Sequence, residues 1–383
     1  MPLYIIILSS SILLLLIYLI LYWRSYVSVK AAPIPDSVSP WPGISVVIIT
    51  HDSDRMLQHA IDTVAAQQYP DYEIVVVNNA STDDTNDVIK RATKQYPTLL
   101  RSTHLPQNRN GILHMTIATT LGVRAARKEW IVLLRPNSTP KSNLWLQNIA
   151  FSIMQGHDMC IGYNQYYSYD KTAWERRALR WHQHQQILNY RAINRGKRKP
   201  IAAESSNIAF RKQDFLDNGG YGRWLNLPNC HEHLYATTFA SRCSTQMLMQ
   251  PEAQVETLIP PILQLWETEH RQTLKAYRRL SSSTKIRRKR YTFLTTLALV
   301  AFALLVGGIA WSAIEDESAY PDLWSMGSIQ LPTFSIPAIA ACAAILFTAI
   351  SLIHLICKAH CKRKDRRFLN TPIVTDLTAI YDN

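Results

Sequence analysis

Basic residues are missing from two places in this 383-residue chain where their absence carries information. None precedes the apolar run Leu3–Trp23, and no small-residue cleavage site follows it, so an uncleaved anchor is expected rather than a removed signal peptide. None lies between Ser312 and Ser335 either, a segment that carries Glu315, Asp316, Glu317 and Asp322. Cysteine is sparse and scattered, at Cys160, Cys230, Cys243, Cys342, Cys357 and Cys361, and in a reducing compartment these side chains are expected to stay thiols. The one grouping that resembles a metal cluster, His354, Cys357, His360 and Cys361, begins inside an apolar segment and does not have the spacing of a closed four-ligand zinc site. It reads as a helix end at the headgroup level.

Two further apolar runs, Thr292–Trp311 and Ile336–Ile356, approach the roughly 20 residues needed to span a bilayer as a helix. Three transmembrane helices are therefore expected. Arg24 and Lys30 follow the first, Lys285 to Arg290 precede the second, and Lys358, Lys362, Arg363 and Lys364 follow the third. The positive-inside rule then places the amino terminus outside, the long middle region in the cytoplasm and the acidic loop outside, as in a multi-pass protein of the inner (cytoplasmic) membrane. The net charge of +13 is largely accounted for by these flanks, which argues against nucleic acid as a partner. No charged residues face one another across the three helices, so a transporter or channel path is not supported.

Along the chain this gives an anchor at 1–24, a Pro-rich linker at 25–43, a globular domain at 44–265, an interfacial basic helix at 266–291, a membrane hairpin at 292–356 and a cytoplasmic tail at 357–383. The globular domain alternates strands and helices. Ile44–Thr50 is a β-branched run suited to a buried parallel strand; His51–Asp54 is a turn and Arg55–Gln67 an amphipathic helix. Glu73–Val77 makes the second strand, and the helix after it is expected to be capped by Ser81 or Thr82 with Asp83 and Asp84 in its first turn. Ser102–Leu105 with the helix Ile112–Arg127 makes a third unit, and Trp130–Leu134 a fourth strand. This rhythm predicts an α/β fold, a Rossmann-like, mostly parallel sheet with its ligand site at the carboxyl ends of the strands.

The segment from Ile44 to Thr85, ISVVIITHDSDRMLQHAIDTVAAQQYPDYEIVVVNNASTDDT, resembles the opening of family 2 glycosyltransferases. GILHMTIATTLGVRAARKEWIVLLRPNSTP is similar to that family's next unit, which ends in the Asp-X-Asp metal motif, and SSNIAFRKQDFLDNGGY to its Asn-X-Ala-Phe-Arg segment and Gly-Gly-aromatic turn. The resemblance spans roughly Ile44 to Leu248. It implies a GT-A fold that holds a nucleotide-diphosphate sugar, with membrane helices keeping the site near a lipid-linked or glycan acceptor.

The same resemblance assigns positions. Thr50, His51 and Asp52 would receive the nucleobase and ribose, together with Asn78 or Asn79, where the family has a carboxylate and where an amide can still hydrogen-bond. The position of the metal motif reads Arg135, Pro136, Asn137. An Arg cannot ligate Mg²⁺ or Mn²⁺, but it can neutralise a diphosphate itself. The acidic pair that supplies the base falls on Cys230 and His231, with Glu232 the nearby carboxylate; a surface cluster without a catalytic role is the competing reading. Arg271 lies near the place of the late Gln-X-X-Arg-Trp element. Trp174 and Trp181, seven residues apart, share a helical face before the basic loop Arg195–Lys199, a pairing that suits either an interface with lipid and acceptor or simple packing. Two functions follow: a sugar transferase of cell-envelope glycan synthesis that uses Arg135 in place of a cation, or an inactive scaffold that regulates a partner glycosyltransferase.

Overall fold

The structure, a computed structural model, describes residues 3–25, 40–106, 115–167, 173–194, 200, 203, 206–222, 231–239, 243–258, 293, 296–309 and 336–369. The chain divides into two units, residues 1–28 with 286–366 and residues 29–285 with 367–383.

The second unit is built on strands β1 (Ile44–Thr50), β2 (Tyr72–Asn79), β3 (Leu100–Leu105) and β4 (Trp130–Leu134). All seven residues of β1 are buried, because helices cover both faces of the sheet and leave no polar side. Ile44, Val46 and Ile48 join Ile74, Val76, Trp130, Val132 and Leu134 in one core layer, with Leu57, Ile61 and Val64 of helix α2 (Asp54–Ala65) packed on them. Each such side chain contributes about 1.5–3 kcal/mol when fully buried. On the opposite face helix α4 (Met115–Ala125) comes so close that a Cβ at Gly122 would lie 2.5 Å from Val47 Cγ1 and 2.9 Å from Val77 Cγ2.

The sheet has seven strands in the order β3-β2-β1-β4-β8-β6-β9, with β6 at Met159–Gly162, β8 at Ile208–Arg211 and β9 at Thr245–Leu248. Strands β3, β2, β1 and β4 are mutually parallel, and β8 runs antiparallel to both β4 and β6. A second sheet, β5-β10-β7, comprises β5 (Ser138–Pro140), β7 (Asn164–Tyr167) and β10 (Val255–Leu258). An α/β fold with a mostly parallel sheet is thus present, extended by a small sheet that the sequence did not announce.

Several helix boundaries differ from expectation. Helix α4 ends at Ala125 rather than Arg127. The helix after β2, α3 (Thr85–Gln95), opens with Asp84 as its N-cap residue, not at Ser81 or Thr82. Those two residues are drawn instead into hydrogen bonds with Asp52 from the preceding loop. Helix α2 stops at Ala65 rather than Gln67, whose side chain turns inward to donate to Ser142 O at 2.9 Å and accept from Leu146 N–H at 3.2 Å. The linker residues 26–39, the basic loop 195–199 and the interfacial segment 266–291 with Arg271 lie outside the described residues.

The first unit contains helix α1 (Leu3–Ser25), the shorter apolar helix α9 (Thr296–Ile309) and helix α10 (Ile336–Leu369); the second unit's remaining helices are α5 (Trp145–Met154), α6 (Ala173–Ile193), α7 (Lys212–Asp217) and α8 (His231–Phe239). Two segments, Ile6–Trp23 and Ala341–Lys364, are long and apolar enough to cross a membrane. Of the remaining expected span, Thr292–Trp311, the described helix α9 is too short to count as a membrane-crossing segment. Leu8, Leu15, Tyr18, Ala301, Leu305 and Phe347 form the interior of this cluster. Ile20, Leu299, Ile345 and Ile353 point outward, each more than half exposed.

Candidate functional site

Pairing in register decides where the strands end. Thr50 lies opposite Asn78, and Ile48 opposite Leu134, so the carboxyl ends of β2, β1 and β4 stand side by side. Residues 50–52, 78–79 and 135–137 are brought to one edge of the sheet, as its parallel topology requires.

Alternation sorts them. Thr50 and Asn78 continue the face that carries Ile48 and Val76, whereas Asn79 belongs to the face covered by α4, where its Nδ2 lies 3.4 Å from Met115 Sδ. Thr50 is fully buried, and its Oγ1 has no hydrogen-bond partner among the described residues. Asn78 Oδ1 accepts from Ser81 N–H at 3.0 Å, so this amide shapes the loop after β2. His51 and Asp52 reach the surface: His51 Nδ1 donates to Asn79 O at 2.8 Å, and its Nε2 is 3.3 Å from Asp52 Oδ2.

The loops after β1 and β2 are clasped reciprocally. Asp52 N–H donates to Ser81 Oγ at 3.1 Å, while Asp52 Oδ1 accepts from Thr82 N–H at 2.7 Å. Ser53 N–H donates to Thr85 Oγ1 at 2.8 Å, and Asp83 accepts from the N–H groups of Asp54 and Thr85 at 3.2 and 3.0 Å. Burial alone would raise the carboxyl of Asp83, but hydrogen bonds from Thr85 and from Asp54 N–H outweigh it and hold the group below its ordinary range. Two residues in this clasp have left-handed backbones, Asp52 at φ 45° and Ala80 at φ 56°. Asp adopts that conformation more readily than Ala does. Ser81, Thr82 and Asp83 are thus site-building residues whose role the sequence reading assigned to helix capping.

At the end of β4 the chain turns immediately, with Ser138 N–H donating to Arg135 O at 3.0 Å. Arg135 N–H approaches Ser206 Oγ at 3.5 Å. Asn137 is bound into the small sheet: its Nδ2 donates to Leu258 O at 2.8 Å, and Leu258 N–H donates back to its carbonyl at 3.0 Å. His231 and Glu232 occupy the first turn of α8, and Trp181 lies within α6; their side chains, like the whole of Arg271, lie outside the described residues.

This donor set does not suit Mg²⁺ or Mn²⁺, which require several converging oxygen ligands. The carboxylates of Asp52 and Asp83 are engaged by backbone N–H groups, the amide of Asn137 is held by β10, and Arg135 brings a positive charge. Among the described residues, no three His, Cys, Asp or Glu side chains come together. Arg135 is the cationic side chain that this edge can offer to an anionic ligand such as a diphosphate.

The family described as Glycosyl transferase family 2 matches residues 45–220. Validoxylamine A glucosyltransferase of Streptomyces hygroscopicus subsp. limoneus is 39% identical over 66 residues, 17% of this chain and 15% of that protein. Glycosyltransferase GlyG of Streptococcus pneumoniae is 24% identical over 129 residues, 34% of this chain and 40% of that protein. The chain thus spans less than half the length of these curated relatives. Among solved structures, mannosyltransferase PcManGT from Pyrobaculum calidifontis, in complex with GDP-Man and Mn²⁺, shares the fold with a TM-score of 0.55 at 16% identity, over 96% of this chain and 98% of that one.

Proposed function

Since residues 45–220 form a glycosyl transferase family 2 domain of GT-A fold, we propose that this chain moves a sugar from a nucleotide-diphosphate donor to a lipid-linked or glycan acceptor at a membrane, without a bound divalent cation. The observation that carries the reading is the register of β1 with β2 and β4, which sets Arg135 beside the clasped loops of His51 and Asp52. In departing, the nucleoside diphosphate gains negative charge. The Arg135 guanidinium answers that charge with two parallel N–H donors, the role a metal otherwise fills.

Thr50 and Asn78 on one face of the strand ends and Asn79 on the other are assigned to the donor site, with His51, Asp52 and Asn137 as its polar rim. The base that takes the acceptor proton is assigned to Glu232 or His231 in the first turn of α8. Trp181 and Arg271 are assigned to the acceptor side.

Attachment to the membrane is supported by the two spanning-length segments and by the outward-facing apolar side chains of α1, α9 and α10. The order of contacts supports alternate crossing: Gly308 meets Leu8 near the start of α1, Phe302 meets Phe347, and His354 meets Tyr18 near the end of α1. Such an order fits an amino terminus outside and a catalytic domain on the cytoplasmic side.

The test is thermal unfolding of the detergent-solubilised full chain with UDP or GDP, in Mn²⁺ and in EDTA. At a nucleotide concentration of 100 times Kd, stabilisation of about 2.7 kcal/mol is expected in both, and Arg135→Gln should remove most of it. Stabilisation that disappears in EDTA would refute the cation-free reading. No response to any nucleotide would refute the donor site and favour a scaffold that serves a partner glycosyltransferase.

A further inference from the structure

The helix cluster of the first unit buries an ionisable side chain that the proposed transferase does not use. His354 of α10 is 6% exposed, and its Nε2 lies 2.9 Å from the Tyr18 hydroxyl of α1. The rings of Tyr18, Tyr22 and Trp23 stand around it with centroids at 5.2, 4.7 and 6.1 Å and interplanar angles of 78° to 87°. His354 Nδ1 has no hydrogen-bond partner among the described residues, and in the tautomer in which the Tyr18 hydroxyl donates to Nε2 it is Nδ1 that carries the proton. A buried unsatisfied donor costs about 1–3 kcal/mol, and more where no water can reach it.

One helical turn further, Lys358 places Nζ 5.5 Å from the centroid of Tyr22, and Lys362 follows after another turn. An N–H donor and an ammonium group thus lie on the same ridge, at the depth where Tyr and Trp mark the edge of a bilayer. No carboxylate occurs between Leu3 and Trp23, between Thr296 and Ile309, or between Ile336 and Lys364; the acidic residue of α10, Asp365, lies seven positions beyond Lys358. Beside the ridge, Ile353, Leu355 and Ile356 are 61%, 59% and 60% exposed. An anion seated here would have apolar surface next to it for acyl chains.

We infer that His354 and Lys358, framed by Tyr18 and Tyr22, bind the phosphate of a membrane lipid headgroup. The inference rests on the membrane reading above. His354 Nδ1–H donates to a phosphate oxygen, Lys358 supplies the countercharge, and the acyl chains lie along the exposed apolar face of α10. A buried ionisable residue in a spanning segment is otherwise a costly thing to keep.

The experiment uses the full chain in phosphatidylcholine nanodiscs containing either phosphatidic acid or phosphatidylserine at equal charge, and reads lipid retained after transfer to detergent by native mass spectrometry. Phosphatidic acid should be retained preferentially. His354→Phe should reduce that preference about tenfold through loss of the hydrogen bond to a charged acceptor, and Lys358→Gln about fivefold. Lys362→Gln, further along the ridge, should change it less than either. His354→Gln, which restores an N–H donor without the ring, controls for altered helix packing and should recover part of the preference.

Equal retention of both lipids, or a preference unchanged in His354→Phe and His354→Gln, overturns the inference. Retention matched by inorganic phosphate in lipid-free detergent overturns the lipid source. Incorporation into the disc is scored first. A chain that fails to insert refutes the membrane reading, whereas an inserted chain without headgroup preference refutes only this inference.

Discussion

Ala80 shows how a single residue records the demands of the site. Its φ of 56° lies in the left-handed region, which costs a residue with a Cβ roughly 1–2 kcal/mol. The clasp between the two loops fixes this conformation, because Asn78 Oδ1 holds Ser81 N–H while Asp52 holds Thr82 N–H. Ala80→Gly should therefore stabilise the chain by about 0.5–1 kcal/mol, although glycine gains entropy in the unfolded state. A thermal melt of both proteins measures it, and a lower midpoint for the glycine variant would show that the turn relaxes in solution. Cys160 makes the opposite point about reactivity. Burial in the strand layer pushes its thiol up to about 12; the nearby Ser152 hydroxyl lowers it and Asp158 raises it, but neither is the main cause. At pH 8 the folded chain should leave Cys160 unmodified by iodoacetamide, with alkylation only in denaturant. Rapid native labelling, read by peptide mass, would contradict the packing. The positions of Thr50, Asn78 and Asn79 at strand ends were legible from the β-branched runs before them. Their division between two faces follows from alternation once the pairing is known, and the closure of Thr50 from the surface depended on what the loops placed above it.

At the scale of elements, Asn207 ties the molecule together. From a left-handed position at φ 60° it donates through Nδ2 to Tyr163 O at 3.2 Å and Ala253 O at 2.9 Å, and accepts from Trp145 Nε1 at 2.9 Å. Its backbone N–H donates to Leu133 O at 2.9 Å, and its carbonyl accepts from Gly162 N–H at 2.7 Å. Through backbone and side chain together, one residue thus joins β4, β6, α5 and the turn before β10. Gly162 is required beside it, since a Cβ there would fall 2.0 Å from Asn207 Nδ2. Asn207→Ala should cost roughly 3–6 kcal/mol by leaving Trp145 Nε1 and two carbonyls unsatisfied. Denaturant unfolding that shows a loss under 1 kcal/mol would mean that water replaces the amide. The sequence reading singled out the segment Ser205–Tyr221 by resemblance, yet nothing local distinguishes an Asn that binds a ligand from one that staples four elements. Its partners lie 44, 46 and 62 residues away. The small sheet escaped notice for the same reason: three- and four-residue strands carry little periodicity, and β5 pairs with β10 across more than a hundred residues.

For the whole molecule, the two units make different physical demands. The α/β unit buries its apolar side chains inside itself, while the helical unit turns many of its own outward. An apolar surface of that kind in water would drive association. The full chain should accordingly remain in the membrane pellet after alkaline carbonate extraction and enter solution only with detergent; release by carbonate alone would refute membrane insertion of α1 and α10.

The identity of the elements is written in local pattern. Runs of Val and Ile compel buried strands, a 3.6-residue period compels the covering helices, and twenty apolar residues compel a helix with apolar surroundings, because each is a local response to water. By resemblance alone, Arg135 is expected where family 2 glycosyltransferases carry metal-binding carboxylates. Packing of the folded chain, by contrast, sets Asp52 against the neighbouring loop, Asn137 against β10 and His354 against Tyr18. These are hydrogen bonds between residues 30, 121 and 336 positions apart. A buried donor or acceptor takes whichever partner the packed chain delivers, and no local pattern encodes that choice.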